Sequence, residues 1–242
     1  MIAILRKEIN LFFSSLIAYI VIAVFLVMNS LFIWILPDSS VLEFGYATLD
    51  QLFEVAPWVF MFLVPAITMR FFAEERRSGT IEIIATKPVS NLRIVLGKYF
   101  AGLVLVIFSI LPTLLYFYTI YVLAAPVGNV DIGATTGSYI GLLLLGGCYV
   151  GLGLLASSIT DNQIVAFIAG LFLCFLFYAL LEWLRSFTVM SPLDPVLEAI
   201  NIQSHYTSIS RGVLDTRDLV YFLSLIGLSI GITNTIIESR KW

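Results

Sequence analysis

The chain has 242 residues, 60% of them apolar and only 12% charged, with a formal net charge of −3 and a mean hydropathy of +1.01. A soluble domain carries about 25% charged residues, so this composition excludes a water-soluble fold and describes a membrane-embedded chain for which nucleic acid is not an expected partner. The net charge is a poor guide, because the signs are segregated along the chain.

Residues 1–10, M-I-A-I-L-R-K-E-I-N, set Ile2, Leu5 and Ile9 at helical spacing opposite Arg6, Lys7 and Glu8, the pattern of a short helix lying at a membrane interface. Leu11 to Leu36 then carries no charge; it is too long for a signal-peptide core and reads as the first span, 11–36. Residues 37–54 are acidic without a basic residue. A second span is expected over 55–69, interrupted by Pro57 and Pro65, which free backbone carbonyls and mark a kink.

The loop 70–98 holds Arg70, Arg76, Arg77, Lys87, Arg93 and Lys98, six of the thirteen basic residues. The third span is expected over 99–125, and the fourth over 135–158. In the fourth, Gly137/Gly141 and Gly147/Gly151 repeat the small-xxx-small spacing of a close helix-packing seam. The fifth is expected over 164–181. Residues 182–216, broken by Pro192 and Pro195, are neither a span nor plainly polar and suit a re-entrant outer element. The sixth span is expected over 219–237.

Six spans put both termini on one side. That side then carries ten of the basic residues, against Arg185, Arg211 and Arg217 on the other, the bias that marks a cytoplasmic face. The fold class is therefore an all-α polytopic membrane protein: one membrane domain over 1–242, with an N-terminal interfacial helix and both termini in the cytoplasm.

Absences narrow the function. Arg70, Lys98 and Glu182 fall at expected span boundaries, and no expected span holds a charge well inside its ends, where pumps and secondary transporters bind ions. Asn29, Asn234, Tyr116, Tyr118 and Tyr121 read as interhelical hydrogen-bonding groups. Cys148 and Cys174 lie in apolar runs and read as packing residues, not as a disulfide or zinc site. The single His205 has no carboxylate or cysteine at ligand spacing and reads as structural or solvated. Gly97-Lys98 is followed by Tyr99, and position 92 is Leu, so this is not a phosphate loop. The chain is not expected to be an enzyme or to bind a cofactor; ATP and magnesium, if used, belong to a partner subunit.

The loop offers such a partner a handle. Ser78, Gly79 and Thr80 turn the chain and cap a helix. Glu82 sits near the positive end of that helix's dipole, and Lys87 near its negative end. Ile81, Ile84 and Ala85 share an apolar face suited to a groove, and Pro88 ends the helix. Glu74-Glu75 followed by Arg76-Arg77 suits ion pairs between helices.

The run E-E-R-R-S-G-T-I-E-I-I-A-T-K-P-V-S…G-K, placed after the second of six spans, resembles the cytoplasmic coupling region of type-2 ABC exporter permeases. R-G-V-L-D-T-R-D-L-V-Y-F-L-S-L resembles that family's entrance to the sixth span. The resemblance covers essentially the whole chain and is nearest to the permeases associated with gliding motility. It implies that Glu74 and Glu75 end the second helix against the cytoplasmic helices and the ATPase. Gly79, Thr80, Ile81 and Glu82 would form the coupling-helix core, Lys87 and Pro88 its end, and Gly97 and Lys98 the start of the third span. It further implies ABC ATPase subunits as partners, with a second permease, of different sequence and with a large extracytoplasmic domain, in the inner membrane. The rival reading is a non-energised scaffold of a cell-envelope complex, for which the basic loop only sets topology.

Overall fold

The computed structural model describes all residues except 38–39, 81–88, 188–191, 214 and 240–242, and of Phe44 the backbone only. The described residues form helices joined by short connections, without strands. Six helical runs are long and apolar enough to cross a membrane. The chain is an all-α polytopic membrane protein.

Helix α1, Ile2–Phe13, is separated from α2, Leu16–Ser30, by Ser14 and Ser15. The first span therefore starts at Leu16 and closes in a π-turn over Leu31–Ile35. A single turn, α3 (Val41–Phe44), precedes α4, Asp50–Thr68. The chain breaks at Met69 and resumes as α5, Arg70–Arg77. The second span thus runs over Asp50–Arg77, and α5 forms the first part of what reads in sequence as a loop.

Helix α6, Asn91–Ile110, continues through a 3-10 turn at Pro112 into α7, Leu114–Leu123, as the third span. The fourth, α8, is unbroken over Ile132–Ile159 and is capped by the Asp131 carboxylate on the Ala134 N–H, 2.9 Å. The fifth joins α9 (Gln163–Phe175) to α10 (Leu181–Arg185) through a π-turn. Two short helices follow, α11 (Asp194–Ile200) and α12 (Ile202–Ser210), and then the sixth span, α13, Thr216–Ser239.

Span four is the axis. Of its most apolar window 78% is buried, against 28% for spans one, five and six, so the others pack around α8. In a bilayer, apolar contact alone gives no net drive to helix association, and close backbone approach takes its place. The four seam glycines serve that purpose within the chain. Gly137 faces the Ile209 carbonyl and Gly141 the side chains of Ile209 and Tyr206, both from α12. Gly147 faces Tyr99 and Ile226, and Gly151 faces Ser229. Gly153 is tighter still, against Thr68 of the second span.

The polar groups expected to bridge helices divide. Tyr116 reaches span one, its hydroxyl 2.6 Å from Ser30 Oγ. Asn29 instead donates to the Phe25 carbonyl of its own helix, and Asn234 to Glu238 of its own. Tyr118 is exposed. Both cysteines are buried and unpaired.

Candidate functional site

The end of the bundle that carries α1 and α5 holds a group of charges that the sequence reading had distributed elsewhere. Lys98 lies two turns into α6, not at a boundary, and is 1% exposed. Its ammonium has three donors and finds three acceptors: Glu8 Oε1 at 2.9 Å, Glu75 Oε1 at 2.9 Å and the Phe71 carbonyl at 2.7 Å. Lys7 completes the cluster, 2.7 Å from Glu75 and 3.4 Å from Glu8. Two lysines and two glutamates sum to zero, which lets the charges stay buried. The rings of Phe71 and Phe72 lie 5.8 and 5.2 Å from the Lys98 nitrogen and add cation–π attraction.

Packing explains how these groups meet. On α1 Leu5 and Ile9 pack half-buried against the core as their stripe predicts, but Ile2 is exposed and Glu8, expected on the polar face, is buried with Phe12. The helix lies on α6 where Gly97 has no side chain; a Cβ there would stand 3.0 Å from Ile4 Cγ2. That contact sets Glu8 over Lys98, one residue on. Burial works against the Lys7 ammonium, but the hydrogen bond and charge of Glu75, with Glu8, outweigh it and raise its pKa above the ordinary lysine value.

The acidic pair is thus divided. Glu75 is buried and joins α5 to both α1 and α6. Glu74 pairs within its own helix, receiving Arg70 Nε at 2.7 Å and Nη2 at 3.1 Å. Of the charged run that suits ion pairs between helices, Glu75 makes them, with Lys7 and Lys98, while Glu74 pairs with Arg70. Arg76 and Arg77 sit in the last turn of α5, the first half-buried and the second exposed.

Ser78 donates back to the Glu74 carbonyl at 2.8 Å, and Gly79 adopts the left-handed conformation, φ +70°, that ends a helix without a Cβ clash. The Thr80 hydroxyl returns to Glu75 O at 3.3 Å. Ile81, Glu82, Ile84, Lys87 and Pro88 lie outside the described residues. A cleft of about 460 Å³ opens beside the cluster, with Leu11 and Phe12 on one wall and Arg70 and Thr80 on another.

The joint between α4 and α5 is held from outside its own helix. Ser157 of α8 accepts the Phe72 and Ala73 N–H groups at 2.9 and 3.2 Å and donates to the Met69 carbonyl at 3.1 Å. Two donors orphaned at the start of α5 are satisfied by one hydroxyl of another span. Ser157→Ala leaves them buried and unpaired, at about 1–3 kcal/mol each. A fall in the unfolding midpoint, with amide exchange accelerated first at Phe72 and Ala73, is the expected result; unchanged exchange there would refute the cap.

Sequence reasoning missed Lys7 and Lys98 as partners of Glu75, and Glu8 as the second carboxylate on both lysines. The signal was present in part: Gly97-Lys98 is a small residue beside a cation, which lets a second helix come close enough to bring its own carboxylate.

Charges gathered at one end of an apolar helical bundle, beside a short lever helix on the second span, describe a polytopic membrane protein with a charged cluster at one end. Residues 37–209 match the family model described as ABC-2 family transporter protein. That match covers well over half of the chain, which belongs to this family. A search of curated proteins finds no match. Permeases of the ABC-2 family work with ABC ATPase subunits. The matched region contains Glu75 and Lys98; α1, with Lys7 and Glu8, precedes it.

Proposed function

We propose that this chain is the membrane half of an ATP-driven exporter or force-transmitting complex of the inner membrane. A separate ATPase subunit pushes on residues 78–88, through Glu82 and the apolar face of Ile81, Ile84 and Ala85. The observation that carries this reading is Glu75. It fixes α5 to α1 and α6 through Lys7 and Lys98, so force arriving beyond Thr80 is delivered to spans two and three together. The sequence resemblance supports a finer form, a counterpart of the F subunit of the gliding-motility Gld transporter. In that form the second permease is a different chain with a large extracytoplasmic domain.

The test is affinity purification from the native host in mild detergent, with ATPase assay of what comes down. A nucleotide-binding subunit with a second, dissimilar permease supports the heteromeric form, and the ATPase with this chain alone supports a homodimer. Recovery of neither leaves the scaffold reading. In the complex, Glu82→Lys or Ile81→Asp is expected to cut ATPase binding or stimulation about tenfold or more, the loss of one anchor at an interface centre. Unchanged binding in both overturns the assignment of that face.

A further inference from the structure

At the opposite end of the bundle, α12 is a hub. The Tyr206 hydroxyl donates to the Phe53 carbonyl of span two at 2.8 Å, and Ser138 of span four donates to the Ser210 carbonyl at 3.1 Å. Arg185 of span five donates to Ser204 at 3.1 Å. Span six is tied by Tyr221, whose hydroxyl donates to the Ile200 carbonyl, and by an ion-pairing contact, His205 Nδ1 to Asp218 Oδ1 at 2.6 Å. The His205 ring stacks on Tyr221, with centroids 3.9 Å apart and planes 19° apart.

The partners around the imidazole define its charge. Nδ1 faces a carboxylate and Nε2 faces the Ala199 carbonyl at 3.3 Å. Both are acceptors, and a neutral ring has only one N–H to give, so only the imidazolium satisfies both. Asp218 makes the same demand. It is 5% exposed, and its Oδ2 has no hydrogen-bond partner among the described residues. A neutral ring would leave that carboxylate buried without a countercharge. The other charges on the surrounding elements do not supply one. Asp194 and Glu198 of α11 are taken up by Arg185, and Arg211, at the end of α12, and Arg217, beside Asp218 on α13, are exposed.

We infer that His205 and Asp218 form a proton-operated latch, which holds the α11–α12 hairpin to span six by an ion pair while the ring is charged and by a weaker, neutral Nδ1–H hydrogen bond once the ring has given up its Nε2 proton. The contact is strongest with the ring doubly protonated and Asp218 ionised, and it weakens when the ring holds a single proton. Of the ties that bind α12 to the four spans, this is the one that depends on a histidine proton. The hairpin therefore senses the acidity on its own side of the membrane.

The chain has a single histidine, so its ring signals need no assignment. The full chain, in lipid nanodiscs and without a histidine tag, is labelled with ¹⁵N-histidine and followed by NMR across the ring's titration. Amide exchange of 194–212, corrected for intrinsic rates, is measured in parallel. Protection of Ile202–Ser210 is expected to fall roughly tenfold as the ring goes from doubly to singly protonated, the loss of one charge-assisted hydrogen bond. His205→Gln and Asp218→Asn are expected to abolish this pH dependence. Tyr221→Phe, which leaves the pair in place, is expected to keep it. Protection that stays flat while the ring titrates, or that keeps its pH dependence in both latch variants, overturns the inference. The wild-type titration decides it even if a variant does not fold.

Discussion

Lys98→Met is expected to destabilise the protein by about 3–5 kcal/mol, because it removes one member of a buried ionic cluster and leaves its partners charged. The methionine replaces most of the length of the side chain, so the loss is electrostatic more than steric. Glu8 and Glu75 would then share only Lys7, which is partly exposed, and the Phe71 carbonyl would lose its donor. The measurement is thermal unfolding in detergent, repeated for Glu8→Gln and Glu75→Gln alone and combined with Lys98→Met. The triple variant is expected to recover much of the stability, since the one charge left in the cluster is that of Lys7, which reaches solvent. Equal destabilisation of the single and triple variants would show that packing around Lys98, not its charge, is what matters.

Gly153→Ala is the second large effect. The added Cβ would stand 2.0 Å from Thr68 Oγ1, a distance that real atoms do not adopt, and 3.0 Å from Thr68 Cβ, tighter than nearly all real contacts. Rotation of the Thr68 hydroxyl relieves the first contact only by giving up its hydrogen bond to the Val64 carbonyl at 3.0 Å, and it leaves the second. Spans two and four must separate. Overpacking of this kind costs about 1–3 kcal/mol and sometimes more, and here it also loosens Ser157, one turn further along the same helix. The expected readout is a lowered unfolding midpoint, partly restored by Thr68→Ala, which removes the nearer atom. No loss of stability in Gly153→Ala would mean that the two helices are not held at this distance.

The fold class and its six spans were legible because bilayer-length apolar runs are a strong signal and the basic residues divide cleanly about them. The charged site was legible only in part. Glu74 and Glu75 stand out in the sequence, yet the partners of Glu75 come from 68 residues before, at Lys7, and from Lys98 on a third helix, and no local pattern records such a pairing. The same limit applied at the other end. His205 and Asp218 are thirteen residues apart across a helix break, a spacing no ligand pattern recognises. The burial of Glu8 on α1 was hidden for a different reason. A buried charged residue reads as part of the polar face until the countercharge that permits its burial is known. Ser157 carries no signal at all, since serine in a glycine-rich span is ordinary, and only the broken helix beside it gives the hydroxyl its task.

The unbroken length of α8 has a mechanical meaning. Ser157 near one end of it splices the interrupted second span, and Ser138 near the other grips the carbonyl of Ser210. These two serines are nineteen residues apart, roughly 28 Å along one stiff rod. Any tilt or turn of that rod at the α5 joint is handed at once to the hairpin on the far side. The molecule therefore has an axle through its centre, and its two faces can keep time with each other without anything passing between them.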